Sequence, residues 1–243
     1  MPSDAATLHR IHDRPPAIHM RWHDLLFLHW RVPADHMRRL IPRELELDCF
    51  DGSAWIGLVP FTMMNTRFRG VPKLGSLSHF QECNVRTYAK HAGAVGVWFF
   101  SLDAERLLPV LGARALWRLP YMWSRFAVER RGDTIDYRLT RRRLPSHPPA
   151  HTHVTWEVGR AMPLAQPGSL EYFLSERYWL FTRRFGGIER GRVHHQHWPL
   201  CAATITQLDD SLIRAAGVEP EGAPHAMCSD GVDVEGWNLV RSG

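Results

Sequence analysis

Polar side chains occupy alternate positions of one predicted strand, and this pattern restricts the folds open to the chain. Residues 80–88 read Phe-Gln-Glu-Cys-Asn-Val-Arg-Thr-Tyr. Because successive side chains of a strand point to opposite faces, Glu82, Asn84 and Arg86 share one face. An unpaired charge buried among apolar groups costs several kcal/mol. The pattern therefore predicts a sheet face that lines a polar cavity or meets solvent, as one face of an antiparallel sheet often does.

The other predicted strands are joined mainly by tight turns rather than by crossover helices. Asp51-Gly52 and Gly132-Asp133 each lie between two extended runs, which is a strong hairpin signal. About nine or ten strands and three or four short helices are predicted, and the longest helix covers residues 103–117. We find no internal repeat and no strand–helix alternation of the dinucleotide-binding type. The pattern predicts a mainly β (α+β) fold with a closed or strongly curved antiparallel sheet.

A polar N-terminal segment precedes the predicted sheet. Residues 1–20 contain the Pro15-Pro16 pair and little apolar periodicity, which predicts a flexible tail. A length of 243 residues fits one large domain or two small ones. Because the strand pattern continues to the C-terminus, we predict a single β domain at residues 21–243.

Positive charge is abundant but dispersed. The chain carries a formal net charge of +5, and Lys73 and Lys90 are its lysines, so arginine supplies almost all of the basic residues. These residues form no compact recognition motif, and no nucleic-acid partner is predicted. The one dense run, at residues 141–143, adjoins a Pro-rich turn and is interpreted as a solvated strand end.

Neither a secretion signal nor a membrane span is predicted. The N-terminal segment lacks an apolar core, and no apolar run approaches the length needed to cross a bilayer. We therefore predict a cytoplasmic protein without a membrane partner. The four cysteines, Cys49, Cys83, Cys201 and Cys228, have no CxxC or zinc-site spacing. Reduced thiols are expected, with no disulfide and no structural zinc.

Common cofactor and hydrolase motifs are missing from the sequence. The chain has no P-loop, GxGxxG, GxSxG or HExxH pattern, and no cofactor is predicted. Two histidine pairs, His151 with His153 and His195 with His197, alternate onto strand faces and would form a metal site only if their strands met. Neither pair has a nearby carboxylate to orient its rings. We predict packed or surface histidines and no metal.

Several segments, taken in order along the chain, resemble one known family. They are LFLHW at 26–30, NVRTY at 84–88, WFFSL at 98–102, GARALWRLPY at 112–121, SERY at 175–178 and GVDVE at 231–235. In these segments the chain resembles the YqjF-like family of uncharacterised bacterial proteins, placed near the acetoacetate-decarboxylase-like superfamily. The resemblance extends over roughly residues 20–240. It implies a curved antiparallel β-barrel with a pocket inside and short helices outside.

The resemblance also bears on catalysis. The decarboxylases form a Schiff base through a lysine that follows a Gly-x-Pro segment, and the matching position here is Tyr121, after Pro120. Glu82 resembles their pocket glutamate. Amine catalysis requires a lysine in the pocket, but Lys73 lies in a Pro/Gly-rich loop and Lys90 at a hairpin turn. The resemblance therefore implies a related pocket without the Schiff-base lysine.

These observations together predict a ligand pocket. We predict that the protein binds a small anionic or carbonyl-bearing molecule, with Asn84 and Arg86 as ligand-binding residues and Trp98 and Trp123 as cavity walls. In such a pocket, Glu82 and Arg86 are mostly buried and are linked directly or through water, since burying an isolated carboxylate is too costly.

Three functions remain open at this stage. In the first, the pocket only binds its ligand, with Glu82 and Tyr121 orienting it. In the second, the protein is a lyase or isomerase in which Glu82 is a general base and Tyr121 an acid or oxyanion donor. In the third, the protein is a binding or regulatory partner with no chemistry. The polar face does not separate these functions, because ligand sites and acid–base sites use the same groups. Ligand identity and homo-oligomerisation also remain open.

Overall fold

The computed structural model describes residues 15–70, 78–106, 119–142, 148–184 and 186–241. Within these ranges the helices are α1 (Ala34–Leu40), α2 (Leu170–Ser175) and α3 (Leu212–Ala215), and none is long and apolar enough to cross a bilayer. The strands are β1 (Ile18–Val32), β2 (Glu46–Leu47), β3 (Ala54–Phe68), β4 (Phe80–His91), β5 (Ala94–Ala104), β6 (Tyr121–Arg131), β7 (Thr134–Arg141), β8 (His151–Ala161), β9 (Trp179–Arg184), β10 (Gly187–His195), β11 (Leu200–Asp210), β12 (His225–Gly236) and β13 (Val240–Arg241).

One continuous sheet contains all of these strands and closes on itself twice. Five of them, in the order β12, β1, β3, β4 and β5, form a wall that two rings share. Strands β6, β7, β8 and β11 complete a nine-stranded barrel on one side of the wall. Strands β9 and β10 complete a smaller ring on the other side, through the β5–β9 and β10–β12 pairings. The predicted mainly β, curved and closed fold is confirmed.

Pairing between strands is antiparallel with two short exceptions. The β5–β6 pair is parallel over three residues, and the β5–β9 pair is parallel over two. Both exceptions involve β5, the strand at which the two rings separate. A mostly antiparallel sheet was predicted, and the two parallel pairs are the places where β5 is joined to strands other than its hairpin partner.

The shared wall buries both of its faces. On β4, Cys83 and Val85 point into the nine-stranded barrel, where they belong to a packed cluster that includes Tyr137 and Trp156. The intervening residues of β4 point the other way, into the smaller ring. Side-chain alternation therefore sends apolar groups to a filled core and polar groups to the opposite face.

Two predicted boundaries need correction. Strand β1 begins at Ile18, inside the predicted 1–20 tail, because Ile18 pairs with both Gly236 and Phe68. The predicted helix at residues 103–117 does not begin at Asp103, since Asp103 and the residue after it end β5. Most of that predicted helix, at residues 107–118, lies outside the described residues.

The predicted hairpin turn at Asp51-Gly52 is present. Both residues have positive φ, 52° and 71°, which is the conformation of a tight two-residue hairpin turn. The chain turns similarly between β4 and β5, where Ala92 and Gly93 have φ of 48° and 75°. The short β4–β5 connection holds these two strands in register, and the register fixes which β5 residues lie opposite each β4 side chain.

Candidate functional site

A cavity of about 160 Å³ lies within the smaller ring, between the shared wall and the β9–β10 layer. One buried water needs roughly 10–15 Å³ of such space, so the cavity has room for about ten water-sized groups. Its walls are mostly aromatic and aliphatic, and include Trp22, Phe27, Val59, Phe61, Phe80, Val97, Phe99, Leu102, Leu180, Val193 and Trp198. A mostly apolar cavity with a few polar groups is typical of a small-molecule site.

Strand β4 contributes a row of polar groups to this cavity. Glu82, Asn84 and Arg86 line it and are 3%, 6% and 9% exposed, respectively. They lie between β3 and β5 in an antiparallel register that fixes their common face. Their burial excludes the solvent-facing alternative that the sequence left open.

Glu82 lies beside Tyr121, as the resemblance implied. The Tyr121 hydroxyl donates a 3.3 Å hydrogen bond to Oε2 of Glu82. Burial raises the pKa of the Glu82 carboxyl to about 8, an effect that the Tyr121 hydrogen bond opposes and the nearby Asp103 charge reinforces. The Glu82 carboxyl is therefore mostly protonated at neutral pH. Burial and Glu82 together raise the pKa of the Tyr121 hydroxyl well above its usual value, so it remains a donor.

Arg86 is held at the other end of the row. Its Nη2 donates a 3.0 Å hydrogen bond to the Leu174 carbonyl, which also accepts from the Tyr88 hydroxyl at 2.8 Å. The guanidinium carbon lies 5.6 Å from the Phe27 ring centre and 5.9 Å from the Tyr88 ring centre. The head group is therefore drawn toward Tyr88 and away from Glu82.

No carboxylate of the described residues lies within ion-pair distance of Arg86. Its Nε is buried and lacks a hydrogen-bond partner among those residues. Of the two links predicted between Glu82 and Arg86, direct or through water, the direct contact is not formed. The two residues are four positions apart on one strand, which separates their Cα atoms by about 13 Å, and Glu82 does not need a cationic partner when its carboxyl is protonated.

Helix α2 provides the carbonyl that holds Arg86. Ser169 caps the helix by accepting a hydrogen bond from the Tyr172 amide at 3.2 Å. Leu174 lies in the last turn, where helix carbonyls have no intrahelical partner. The Leu174 side chain is fully buried and anchors that turn. Arg86 and Tyr88 thus satisfy a helix-end acceptor, and in doing so they fix the position of the guanidinium.

Asn84 lies between the two ends and leaves a polar atom unsatisfied. Its Oδ1 is buried and has no hydrogen-bond partner among the described residues. Its register neighbours are Val59 on β3 and Leu102 on β5, and neither side chain can form a hydrogen bond. An unsatisfied buried acceptor costs roughly 1–3 kcal/mol, so a ligand donor or a water at this position is favourable.

Sequence reasoning missed His195 as a cavity residue. His195 is buried among aromatic rings, at 4.8 Å from Tyr178, 5.0 Å from Trp198 and 6.1 Å from Trp22 between ring centres. Its Nδ1–H donates to the Gln196 carbonyl at 2.7 Å, which leaves Nε2 as an acceptor. Burial lowers the pKa of the imidazole, so the ring is neutral.

Two further cavity residues, Arg177 and Arg192, were also not predicted. Arg177 donates to Asp48 at 2.7 Å, so its charge is already paired. Arg192 lies 5.4 Å from the Trp179 ring centre. The similarity of the segment SERY at 175–178 to a known family was a sequence signal that pointed to Arg177.

Trp98 and Trp123 are not walls of this cavity, which corrects the prediction. Trp98 points to the opposite face of β5 from Val97 and Phe99, and packs against the filled core. The Trp123 indole N–H donates to the Glu105 carbonyl at 3.2 Å, and Arg142 stacks on its ring at 4.2 Å. Strand alternation assigns Trp98 to the other face, and Trp123 lies just beyond the cavity end.

A buried ion pair joins β5, the neighbour of β4, to β7. Arg141 donates through Nε to Oδ1 of Asp103 at 2.7 Å and through Nη2 to Oδ2 at 2.8 Å. Ser101 and Ser124 complete the network with 2.7 Å hydrogen bonds. The interpretation of residues 141–143 as a solvated strand end is therefore wrong for Arg141, which is buried because the Asp103 carboxylate requires a partner.

The histidine pairs lie apart from this network. His151 contacts Asp209 at 3.2 Å, and His153 contacts Asp136 at 2.8 Å, so carboxylates from neighbouring strands orient both rings, contrary to expectation. In the described part of the chain, one set of side chains brings three ligand atoms within 4.8 Å, and it consists of His23, Asp24 and Asp230. Arginines already pair both of these acids.

The described cavity residues include no lysine. Lys90 lies near the end of β4, and its Nζ is 2.9 Å from Asp48, outside the cavity lining. Lys73 lies outside the described residues. Tyr121 begins β6 and projects a phenol into the cavity beside Glu82.

Comparison with protein families covers most of the chain. The model of the DUF2071 family, described as an uncharacterised conserved protein, matches residues 19–233. The uncharacterised protein YqjF of Bacillus subtilis (strain 168) is 37% identical over 221 residues, which cover 90% of each chain. The resemblance stated from the sequence segments is confirmed.

Solved structures share the fold at low sequence identity. The enduracididine biosynthesis enzyme MppR complexed with pyruvate has a TM-score of 0.65 and 13% identity, covering 98% of this chain and 94% of that one. The acetoacetate decarboxylase of Legionella pneumophila has a TM-score of 0.64 and 11% identity, covering 99% of this chain and 97% of that one. The fold is acetoacetate-decarboxylase-like.

Proposed function

The protein belongs to the DUF2071 family, and we propose that it binds a small anionic or carbonyl-bearing molecule in the cavity of the smaller ring. Arg86 supplies the anion site, Asn84 a further polar contact, and the protonated Glu82 carboxyl, held by Tyr121, a hydrogen-bond donor. The surrounding aromatic and aliphatic walls accept the carbon skeleton. The proposal retains the predicted cytoplasmic location and involves no nucleic acid.

The observation that carries this proposal is the buried guanidinium of Arg86. It lines the cavity, and no described carboxylate lies within ion-pair distance of it. Taking a charge out of water without a counter-ion costs several kcal/mol. A ligand carboxylate in the cavity supplies that counter-ion, and the planar guanidinium is suited to binding it.

Glu82 supports the proposal that the ligand carries a carbonyl group. A protonated carboxyl offers an O–H donor where an ionised carboxylate offers acceptors alone. With its pKa raised to about 8, Glu82 presents such a donor at neutral pH next to the Tyr121 hydroxyl. Because the Tyr121 hydroxyl donates to Glu82, the carboxyl O–H is the donor left for a ligand, and in an apolar cavity it favours a carbonyl or hydroxyl oxygen beside it.

The similar solved structures add a weaker argument. MppR was solved with pyruvate, which carries a carboxylate and a ketone. This protein has Tyr121 where the sequence resemblance places the Schiff-base lysine. We therefore propose binding of a related class of compound without a covalent amine intermediate.

Calorimetric titration with hexanoate, and with hexanol as the uncharged match, tests the proposal. Hexanoate should bind more tightly than hexanol, and Arg86→Met should weaken hexanoate binding at least tenfold. Arg183→Gln is the matched control, because Arg183 is exposed and pairs with Glu44 outside the cavity. Equal binding of hexanoate by wild type and Arg86→Met would overturn the proposal.

A second candidate function is acid–base chemistry on the bound ligand. The carboxyl of Glu82 has a pKa close to physiological pH, where general acids and bases are most effective. Because it is mostly protonated at neutral pH, Glu82 is first an acid, and it becomes a base only after it loses that proton. Deuterium exchange at the α-carbon of a bound ketone, followed by NMR, tests this role. The exchange should disappear in Glu82→Gln, and a rate equal to the solvent background in wild type would exclude it.

A further inference from the structure

The two polar ends of the cavity are far apart. At one end the Tyr121 hydroxyl holds the Glu82 carboxyl. At the other end the Leu174 carbonyl and two aromatic rings draw the Arg86 guanidinium away from Glu82. The Cα atoms of Glu82 and Arg86 are separated by about 13 Å along β4. A ligand with its two oxygen-bearing groups at opposite ends matches this arrangement better than one with them on adjacent carbons.

The surface between the two ends is mostly apolar. Val59 and Leu102 flank the middle of the row, and Phe61 and Phe99 also line the cavity. Asn84 is the polar exception, with its unsatisfied Oδ1. A chain of methylene groups fits this section, because it needs no hydrogen-bond partners and removes apolar surface from water.

We propose that the ligand is a medium-chain oxo or hydroxy acid with its two oxygen-bearing groups at opposite ends. Its carboxylate lies against Arg86, and its second oxygen accepts a hydrogen bond from Glu82, which Tyr121 positions. The cavity has room for about ten water-sized groups, which corresponds to a chain of about six to eight carbons. This inference rests on the proposed function, because it assumes that Arg86 is the anion site.

Charge supports this orientation over the reverse one. Arg86 has no described carboxylate partner, whereas the other arginine near that end, Arg177, is paired with Asp48. At neutral pH a carboxylate at the Glu82 end would meet a mostly protonated carboxyl, which carries no compensating positive charge. The anion therefore binds at Arg86, and the uncharged oxygen at Glu82.

Two isomers separate the proposal from simple fatty-acid binding. The ketone of 7-oxooctanoate is remote from its carboxylate, whereas that of 2-oxooctanoate is adjacent, and the two have the same size and charge. We expect 7-oxooctanoate to bind the wild-type protein at least tenfold more tightly than 2-oxooctanoate or octanoate in calorimetric titrations. Pyruvate should bind more weakly than all three.

Variants at each end make the result specific. Glu82→Leu, or Tyr121→Phe if the first variant does not fold, should remove the preference for 7-oxooctanoate over octanoate. Arg86→Met should weaken all three eight-carbon acids. Equal affinities for the two isomers would overturn this inference, and the proposed function would stand if Arg86→Met still weakened them. Absence of binding by any acid, or indifference of all acids to Arg86→Met, would remove both.

Discussion

Arg141 forms a two-point ion pair with Asp103, through contacts of 2.7 and 2.8 Å, and both side chains are buried. Arg86, on the face of the shared wall opposite to Asp103, is also buried but has no described carboxylate partner. The two arginines therefore differ in what their charge contributes. Arg141 neutralises a structural carboxylate, whereas the charge of Arg86 is compensated in the folded protein by one carbonyl and two ring faces.

This difference predicts opposite outcomes for two matched substitutions. Arg141→Met should lower the free energy of unfolding by about 3–5 kcal/mol, because it leaves the Asp103 carboxylate buried and unpaired. Arg86→Met should change it by less than about 1 kcal/mol or increase it, because the lost hydrogen bond is offset by removal of a buried charge that has no described carboxylate partner. Urea denaturation measures both. A large loss for Arg86→Met would mean that a counter-ion holds this residue after all.

The sequence predicted the face of β4 correctly because alternation is a local property of a strand. Glu82, Asn84 and Arg86 share a face whatever the strand packs against. Alternation cannot say what covers that face. The covering layer is formed by β9 and β10, which lie about 100 residues later in the chain, and their short pairings with β5 and β12 leave no periodic signal in the sequence.

Long-range pairing also explains the errors at Asp103, Arg141 and Trp98. The residues around Asp103 in the sequence are typical of a helix start. Its role in an ion pair depends on Arg141, which is 38 positions away in the chain. Arg141 was interpreted as solvated because its partner, Asp103, is equally distant in the sequence. Trp98 was predicted to be a cavity wall, whereas its position on β5 directs it to the filled core. Tyr121 was placed near Glu82 by family resemblance, since no periodicity links two residues on different strands.

The raised pKa of Glu82 predicts a pH-dependent stability. The carboxyl titrates at about 8 in the folded protein and near its ordinary value of 4.5 when unfolded. The unfolded state therefore loses this proton first, and the contribution to stability is fully present below pH 4.5 and is lost as pH rises toward 8. At about 1.36 kcal/mol per pKa unit, the change over this interval is on the order of 4–5 kcal/mol.

Glu82→Gln removes this titration and keeps the shape of the side chain. Its stability should fall less steeply than that of the wild type between pH 5 and 8, and the two curves should converge in slope above and below that interval. Thermal or urea unfolding at several pH values measures the difference. Parallel curves throughout the interval would show that Glu82 is already ionised in the folded protein.

Lysine placement predicts that no Schiff base forms in the cavity. Borohydride treatment with acetoacetate should leave the protein mass unchanged, because the described lining contains Tyr121 and no lysine. Lys90 is held by Asp48 at 2.9 Å, outside the cavity. Lys73→Arg and Lys90→Arg are the controls for a positive result. A reduced adduct that Lys73→Arg abolishes would show that this lysine reaches the ligand.

The register of the β11–β12 pair predicts that Cys201 and Cys228 are close enough to form a disulfide. Cys201 lies directly opposite Cys228 on the neighbouring antiparallel strand. Directly opposed residues have Cα atoms about 4.5–5.5 Å apart, which falls within the range of about 4.4–6.8 Å that a disulfide requires. The sequence spacing of these two cysteines gives no indication of this proximity, which arises only when the strands pair.

We expect the isolated protein to contain four thiols and to lose two daltons on treatment with diamide. Diamide accepts two electrons and two protons from the Cys201–Cys228 pair and becomes the corresponding hydrazine. Burial raises the pKa of the Cys228 thiol to about 12, and Cys228 is almost inaccessible, so the reaction should be slow and faster at alkaline pH. Peptide mapping by mass spectrometry identifies the linkage. Cys201→Ser should abolish the mass loss and Cys49→Ser should not, whereas a loss that survives Cys201→Ser would assign the disulfide to another pair.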